Sequence, residues 1–100
     1  MMELDLYWIA HAGVSVEHIL NRCHRRVPVI HLKDREPFAD SHDTRIAAVG
    51  EGSMDWNHII PACARAGVDW YTIEQDTCAR DPFDCLQSSF EYLAKNKWNF

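Results

Sequence analysis

Polar and apolar positions along this chain follow two periods that take turns. Residues 3–8, Glu3-Leu4-Asp5-Leu6-Tyr7-Trp8, begin by alternating at a period of two, which predicts a first strand. Ser15 is a good helix N-cap. After it Val16, Ile19, Leu20 and Cys23 fall at i, i+3, i+4 and i+7, one face of a helix. Residues 27–32, Val27-Pro28-Val29-Ile30-His31-Leu32, predict a second strand, with proline at its start, where a missing N–H matters least. A long connection over 33–52 follows. Structureless stretches of that length are uncommon and often functional. Asp55 then caps a helix with Trp56, Ile59, Ile60 and Cys63 on one face, ending at Gly67, a common residue just past a helix end. Pro61 lies inside that helix, where it removes one backbone donor and bends the axis. Residues 70–74, Trp70-Tyr71-Thr72-Ile73-Glu74, predict the third strand. Asp81-Pro82 opens the last helix as N-cap and first helical residue, with Phe83, Leu86, Phe90 and Leu93 as its apolar face. Residues 96–100 are a tail that frays or docks on a neighbour.

The order β-α-β-α-β-α implies parallel strands joined by helical crossovers. Three such strands leave two open edges and one uncovered face, whereas parallel sheets are normally covered on both faces. A (β/α)8 TIM barrel needs eight strands and roughly 200 residues or more. The 100 residues of this chain are therefore expected to form one domain, 1–100, of class α/β: three consecutive βα units of an incomplete parallel barrel, either a fragment or a piece that completes itself by association.

Composition narrows the partners. With 47% hydrophobic and 25% charged residues, the chain has none of the marks of a disordered segment. Fifteen acidic residues against ten basic ones give a net charge of −5, which argues against a nucleic-acid partner. The one basic cluster, Arg22, His24, Arg25 and Arg26, reads as a solvated helix end, where cations suit the helix dipole. The N-terminus shows no signal peptide, and no apolar run approaches the ~20 residues of a membrane span. A cytoplasmic chain without a membrane partner is expected. Cys23, Cys63, Cys78 and Cys85 form no C-x-x-C pair and are read as reduced thiols. Cys23 and Cys63 lie on apolar helical faces. A Cys78–Cys85 disulfide is the lesser reading.

Each predicted strand carries an ionisable residue near its C-terminal end: Asp5, His31 and Glu74. Side chains alternate across a strand. His31 therefore shares a face with Val27 and Val29, opposite Ile30 and Leu32. Glu74 shares a face with Thr72, opposite Tyr71 and Ile73, and Asp5 lies opposite Leu4 and Leu6. If the apolar faces meet helices, the three ionisable groups point into the barrel, where barrel enzymes hold metals and catalytic groups. Two carboxylates and an imidazole meeting at one spot call for a positive centre. An O,O,N donor set suits Mn²⁺, Mg²⁺, Co²⁺, Fe²⁺ or Zn²⁺. Taken singly, each residue has a plainer explanation: an aspartate bonded to a loop N–H, a hydrogen-bonded core histidine, a solvated glutamate at the rim.

Five stretches, taken in order, carry a family likeness. Asp5-Leu6-Tyr7-Trp8, Val29-Ile30-His31-Leu32-Lys33-Asp34, Val49-Gly50-Glu51-Gly52-Ser53-Met54-Asp55-Trp56, Thr72-Ile73-Glu74-Gln75-Asp76 and Asp81-Pro82-Phe83 resemble the C-terminal part of the xylose-isomerase-like TIM barrels. That superfamily comprises sugar phosphate isomerases and epimerases, with inosose dehydratases and endonuclease-IV-like proteins. The resemblance implies that the three strands are the sixth, seventh and eighth of the barrel. It also implies that Asp5, His31 and Glu74 match three of four metal ligands. The fourth, a glutamate on the fifth strand, has no counterpart in this chain. Trp8 stands where related ketose epimerases carry histidine, and is expected to pack on a sugar face or a helix. Lys33 and Glu51 fall in segments that surround the substrate in such barrels. A solvated strand end and a turn explain those two equally well.

The implied chemistry is proton transfer next to a carbonyl in a small sugar or sugar phosphate, through an enediolate, with a divalent metal as cofactor and Glu74 as the base. His31 is expected to bind as neutral imidazole, held by an acceptor that the sequence does not name. Isomerisation, epimerisation and dehydration all remain open. The expected assembly is either a homo-oligomer or a complex with the missing part of the barrel. The alternative is a βα module that self-assembles or docks on a partner through its open sheet edges, without catalytic activity of its own.

Overall fold

Glu3–Asp5 forms a short strand, β1, and Val29–Leu32 forms β2 beside it. The two run parallel, pairing Glu3 with Val29, Leu4 with Ile30 and Asp5 with His31. Trp70–Ile73, β5, completes a three-stranded parallel sheet in the order β1-β2-β5. Asp34–Pro37 (β3) and Thr44–Ala47 (β4) form a separate antiparallel pair. The helices are Leu6–His11 (α1), Val16–Arg22 (α2), Trp56–Ala66 (α3) and Pro82–Lys95 (α4). The computed structural model describes residues 1–37, 44–96, 98 and 100. Part of the expected 33–52 connection (38–43) and part of the tail (97 and 99) lie outside the described residues. The chain divides into two compact units. One comprises Met1–Leu32 with Asp55–Thr72, the other Lys33–Met54 with Ile73–Phe100.

In the first unit the helix boundaries follow their caps. Ser15 Oγ accepts the His18 N–H at 3.2 Å and starts α2. The Arg26 guanidinium donates to the Arg22 carbonyl at 2.8 Å just past that helix, so the basic cluster is the exposed helix end expected of it. Gly67 ends α3 in the left-handed region at φ 85°, where a side chain would be strained. Ile30 and Leu32 on one face of β2 are fully buried, with Val16, Leu20, Trp56, Ile59, Ile60, Ala62 and Cys63 also inside. The alternation that set His31 opposite Ile30 and Leu32 therefore matches the burial.

Cys63 is inaccessible, and burial pushes its thiol up to about 12 from 9.0. Burial also raises the Tyr71 phenol to about 12 from 10.0, with smaller contributions from charge at Cys63 and Asp69. Both groups stay protonated in the fold at pH values where the unfolded chain ionises them. Their contribution to stability is thus complete below about pH 9 and is lost as pH rises toward 12. We expect urea midpoints to fall across that window. The fall should shrink in a Cys63→Ala/Tyr71→Phe variant. An unchanged alkaline slope in that variant would count against this assignment.

Four expectations need correction. The first strand is three residues long, not six, because Asp5 ends it by capping α1: its Oδ1 accepts the Trp8 N–H at 3.2 Å. Trp8 is therefore helical. The 33–52 connection contains the β3–β4 pair. In β3 only Asp34 is buried, so no apolar alternation announces a strand.

The apolar face of α4 is also different. Phe83 and Phe90 are 79% and 65% exposed, and the helix turns Cys85, Ser89 and Leu93 inward instead. The Ser89 hydroxyl accepts the Val49 N–H at 2.9 Å, which draws this more polar stripe to the buried side. Last, Cys78 and Cys85 form a disulfide rather than two thiols. The Asp81 cap, whose carboxylate accepts the Phe83 N–H, turns the chain so that Cys85 in the first turns of α4 faces back to Cys78. Among the described residues no helix is long and apolar enough to cross a membrane.

Candidate metal centre

The C-terminal ends of β1 and β2 lie side by side, and that parallel pairing sets Asp5 beside His31. Asp5 divides its two oxygens. Oδ1 caps α1, while Oδ2 lies 3.8 Å from Nδ1 of His31. The other ring nitrogen of His31, Nε2, is in contact with Oε1 of Glu3. Asp5 and His31 are partly buried, at 19% and 23% side-chain exposure. They can therefore meet a solute while being held by the sheet.

Glu74 follows directly on Ile73, the last residue of β5. Its Oε2 lies 3.0 Å from the Lys33 ammonium, which also donates to Asp76 Oδ2 at 2.8 Å. The Lys33 side chain is 4% exposed, so Lys33 is no solvated strand end. A desolvated ammonium requires such carboxylate partners.

Asp5 and His31, near the ends of β1 and β2, and Glu74, directly after β5, are residue types that can hold a metal ion. The donor set fits one: two carboxylates and an imidazole bring hard oxygens and a borderline nitrogen, as the divalent first-row ions prefer. Asp76 and Glu3 were not anticipated. Each lies two residues from a predicted ligand, on the same face of an extended chain, and that spacing was the available signal.

The other two candidates sit elsewhere. Trp8, in the first turn of α1, is half exposed and packs edge-on against Tyr7 and His11. Glu51 is tied to the Arg80 guanidinium at 2.9 Å and accepts the Ser88 hydroxyl at 3.2 Å. That bond raises the Arg80 guanidinium's pKa further. Glu51 lines a cavity of about 230 Å³ with Glu36, Arg45, Gln75 and Arg80; neither Lys33 nor Glu74 lines it. The structure thus brings Lys33 to Glu74 and leaves Glu51 in a different ion pair.

Asp34 explains the Val49–Asp55 motif. Its carboxylate, inaccessible to solvent, accepts the N–H groups of Arg35 (2.8 Å), Gly50 (2.9 Å), Gly52 (3.0 Å) and Met54 (3.0 Å). The Gly50-Glu51-Gly52 turn is wound around this one side chain.

The chain shares its fold with a sugar phosphate isomerase/epimerase. That protein, from Parabacteroides distasonis ATCC 8503, is known from a crystal structure at 1.70 Å resolution. It matches with a TM-score of 0.71 and 24% sequence identity, over 93% of this chain and 30% of its own. The present chain therefore spans under a third of its length. No protein-family model matches the sequence, and no curated protein matches it.

Proposed function

We propose that this chain is the part of a metal-dependent sugar or sugar phosphate isomerase/epimerase barrel that carries its sixth, seventh and eighth strands. The observation that carries the reading is the ionisable residue at the end of each strand of one parallel sheet, Asp5, His31 and Glu74. The shared fold supports it.

In this reading those three residues hold a divalent cation, which when bound polarises the carbonyl of the substrate. Glu74 removes the proton from the carbon next to that carbonyl and returns it to the neighbouring one, as a general base must. Lys33, whose ammonium lies 3.0 Å from Glu74 Oε2, keeps that carboxylate aimed. Its ammonium also balances negative charge that grows on the substrate oxygens. Trp8 offers an exposed ring for the apolar face of a sugar.

Calorimetric titration of chelator-stripped protein with Mn²⁺ tests the reading. Saturable binding is expected in the wild type, weakened at least about tenfold in Glu74→Gln and His31→Ala. A folded wild-type sample that takes up no Mn²⁺ would sink it.

A second reading is favoured by the two exposed aromatics of α4, Phe83 and Phe90. Here the chain is a module that docks on another polypeptide and does no chemistry. An oligomer or complex indifferent to both substitutions is its expected signature.

A further inference from the structure

The cavity of about 230 Å³ that Glu51 lines has the Cys78–Cys85 disulfide in its wall. Two ion pairs share that wall. Glu36 and Arg45 meet at 2.7 Å across the β3–β4 pair, and Glu51 meets Arg80 at 2.9 Å. An exchangeable bond, two guanidinium groups and two carboxylates therefore border one space. The four charged side chains are 41–47% exposed. Exposed ion pairs of this kind contribute little to a fold, so these charges can turn to a solute at small cost.

The two sulfurs differ in access. Cys85, in the first turns of α4, is 2% exposed, whereas Cys78, in the loop before it, is half-buried. A thiolate opens a disulfide by attacking one sulfur and expelling the other, and the sulfur within reach belongs to Cys78. The loop survives that opening. Its start is tied by Gln75, whose Nε2 donates to the Ile46 and Thr77 carbonyls. Its end is tied by the Asp81 carboxylate, which accepts the Phe83 N–H. The bridge itself closes a span of only seven residues, and short spans are those in which a disulfide adds least to stability.

We propose that Cys78 is a thiol-exchange site, and that the cavity beside it takes a small zwitterionic thiol, one bearing both a carboxylate and an ammonium group. The thiolate sulfur bonds to Cys78 Sγ and the Cys78–Cys85 bond breaks. Its electron pair leaves with Cys85, which takes a proton from water. The products are a mixed disulfide on Cys78 and a free thiol at Cys85, and no further oxidant or reductant enters. Arg45 and Arg80 suit the carboxylate, to which guanidinium offers paired donors. Glu36 and Glu51 suit the ammonium. The volume suits a molecule of amino-acid size, since pockets for drug-sized ligands begin at ~300 Å³. Every residue named lies in the unit Lys33–Met54 with Ile73–Phe100, and the inference does not depend on the metal reading.

The test uses the full chain, with L-cysteine as the probe. Cysteamine, which lacks the carboxylate, and 2-mercaptoethanol, which lacks both charges, are run beside it. Reactions are stopped with acid and followed by intact mass and peptide mapping. Exchange adds the whole mass of one thiol. Oxidative coupling to the free cysteines, Cys23 and Cys63, adds two hydrogens less, so the two events separate. Each rate is divided by that of the urea-unfolded chain, which cancels the thiol's own reactivity.

The adduct is expected on Cys78, with a free thiol on Cys85. The normalised rate should favour cysteine over 2-mercaptoethanol about tenfold, the share of roughly one charge-assisted hydrogen bond, with cysteamine between them. Arg45→Gln/Arg80→Gln should remove most of that preference and leave the 2-mercaptoethanol rate unchanged. A native chain with all four cysteines as thiols overturns the proposal, as does an adduct on Cys85. So does a native bridge inert to all three thiols under conditions where the unfolded chain reacts. Equal normalised rates, or a preference for cysteine that survives the arginine substitutions, overturn the assignment of the cavity.

Discussion

Replacing Asp34 with alanine is expected to cost about 4 kcal/mol or more, read as a shift of the urea midpoint. The magnitude follows from the number of dependants. Four backbone N–H groups, of Arg35, Gly50, Gly52 and Met54, end on this one carboxylate. A hydrogen bond to a charged acceptor contributes roughly 1.5–3 kcal/mol, and a buried donor left without one costs about 1–3 kcal/mol. The four do not add fully, because water enters the space that the side chain vacates. Even so, the loss is a large share of the ~5–15 kcal/mol that holds a small domain folded. Asp34→Asn should fall between the two: one amide oxygen keeps its donors, while the NH₂ group faces donors it cannot serve. A midpoint shift worth less than about 1 kcal/mol in Asp34→Ala would show that the turn is held by something else.

The second large effect is expected at Gly52. A Cβ there would lie 2.5 Å from Asp34 Oδ1 and 2.6 Å from the Arg35 carbonyl oxygen. That carbonyl belongs to the β3 backbone and already accepts the Ser53 N–H at 2.8 Å, so it cannot swing away as a side chain would. Gly52→Ala must therefore shift the turn off Asp34, at a cost of about 3 kcal/mol.

Because the same contacts are lost, Asp34→Ala/Gly52→Ala should cost well below the sum of the two single changes. Strict additivity would refute a shared cause. Gly50 makes a useful contrast. Its backbone is in the left-handed region at φ 93°, and its Cβ would meet the Tyr92 ring at 2.4 Å. Shrinking Tyr92 should therefore relieve part of a Gly50→Ala defect, and none of the Gly52→Ala one.

These two positions also show what was legible in the sequence. Elements whose ends are written in cap chemistry were read with nearly the right bounds: Ser15 before α2, Gly67 after α3, Asp81-Pro82 before α4. A cap works through bonds two to four residues away, so a local reading contains its cause. Asp34 works over 16 to 20 residues, and nothing local marks it as the hub of a turn. The β3–β4 pair was missed for a related reason: Asp34-Arg35-Glu36-Pro37 becomes a strand through its partner, not through its own pattern.

In α4 the largest apolar residues, Phe83 and Phe90, are exposed. The buried stripe runs through Cys85, Ser89 and Leu93, one of which is joined to Cys78 and another hydrogen-bonded to Val49. At the candidate centre Asp5, His31 and Glu74 were legible as ionisable residues at strand ends. Their ion-pair surroundings were not. Glu3 and Asp76 are ordinary surface carboxylates until the partners His31 and Lys33 are known.

Asp5 has a double engagement that restricts what can replace it. One oxygen starts a helix of only six residues, and the other faces His31. Asparagine and serine satisfy the first demand and bring no charge to the second. Glutamate carries the charge but is one methylene too long for the cap. Position 5 is thus a site where two unrelated requirements select the same amino acid. Asp5→Ala fails both requirements at once, whereas asparagine fails only the second and glutamate only the first. Any attempt to redesign or transplant the centre has to move α1 with it, because the first turn of that helix and the centre share a single carboxyl group.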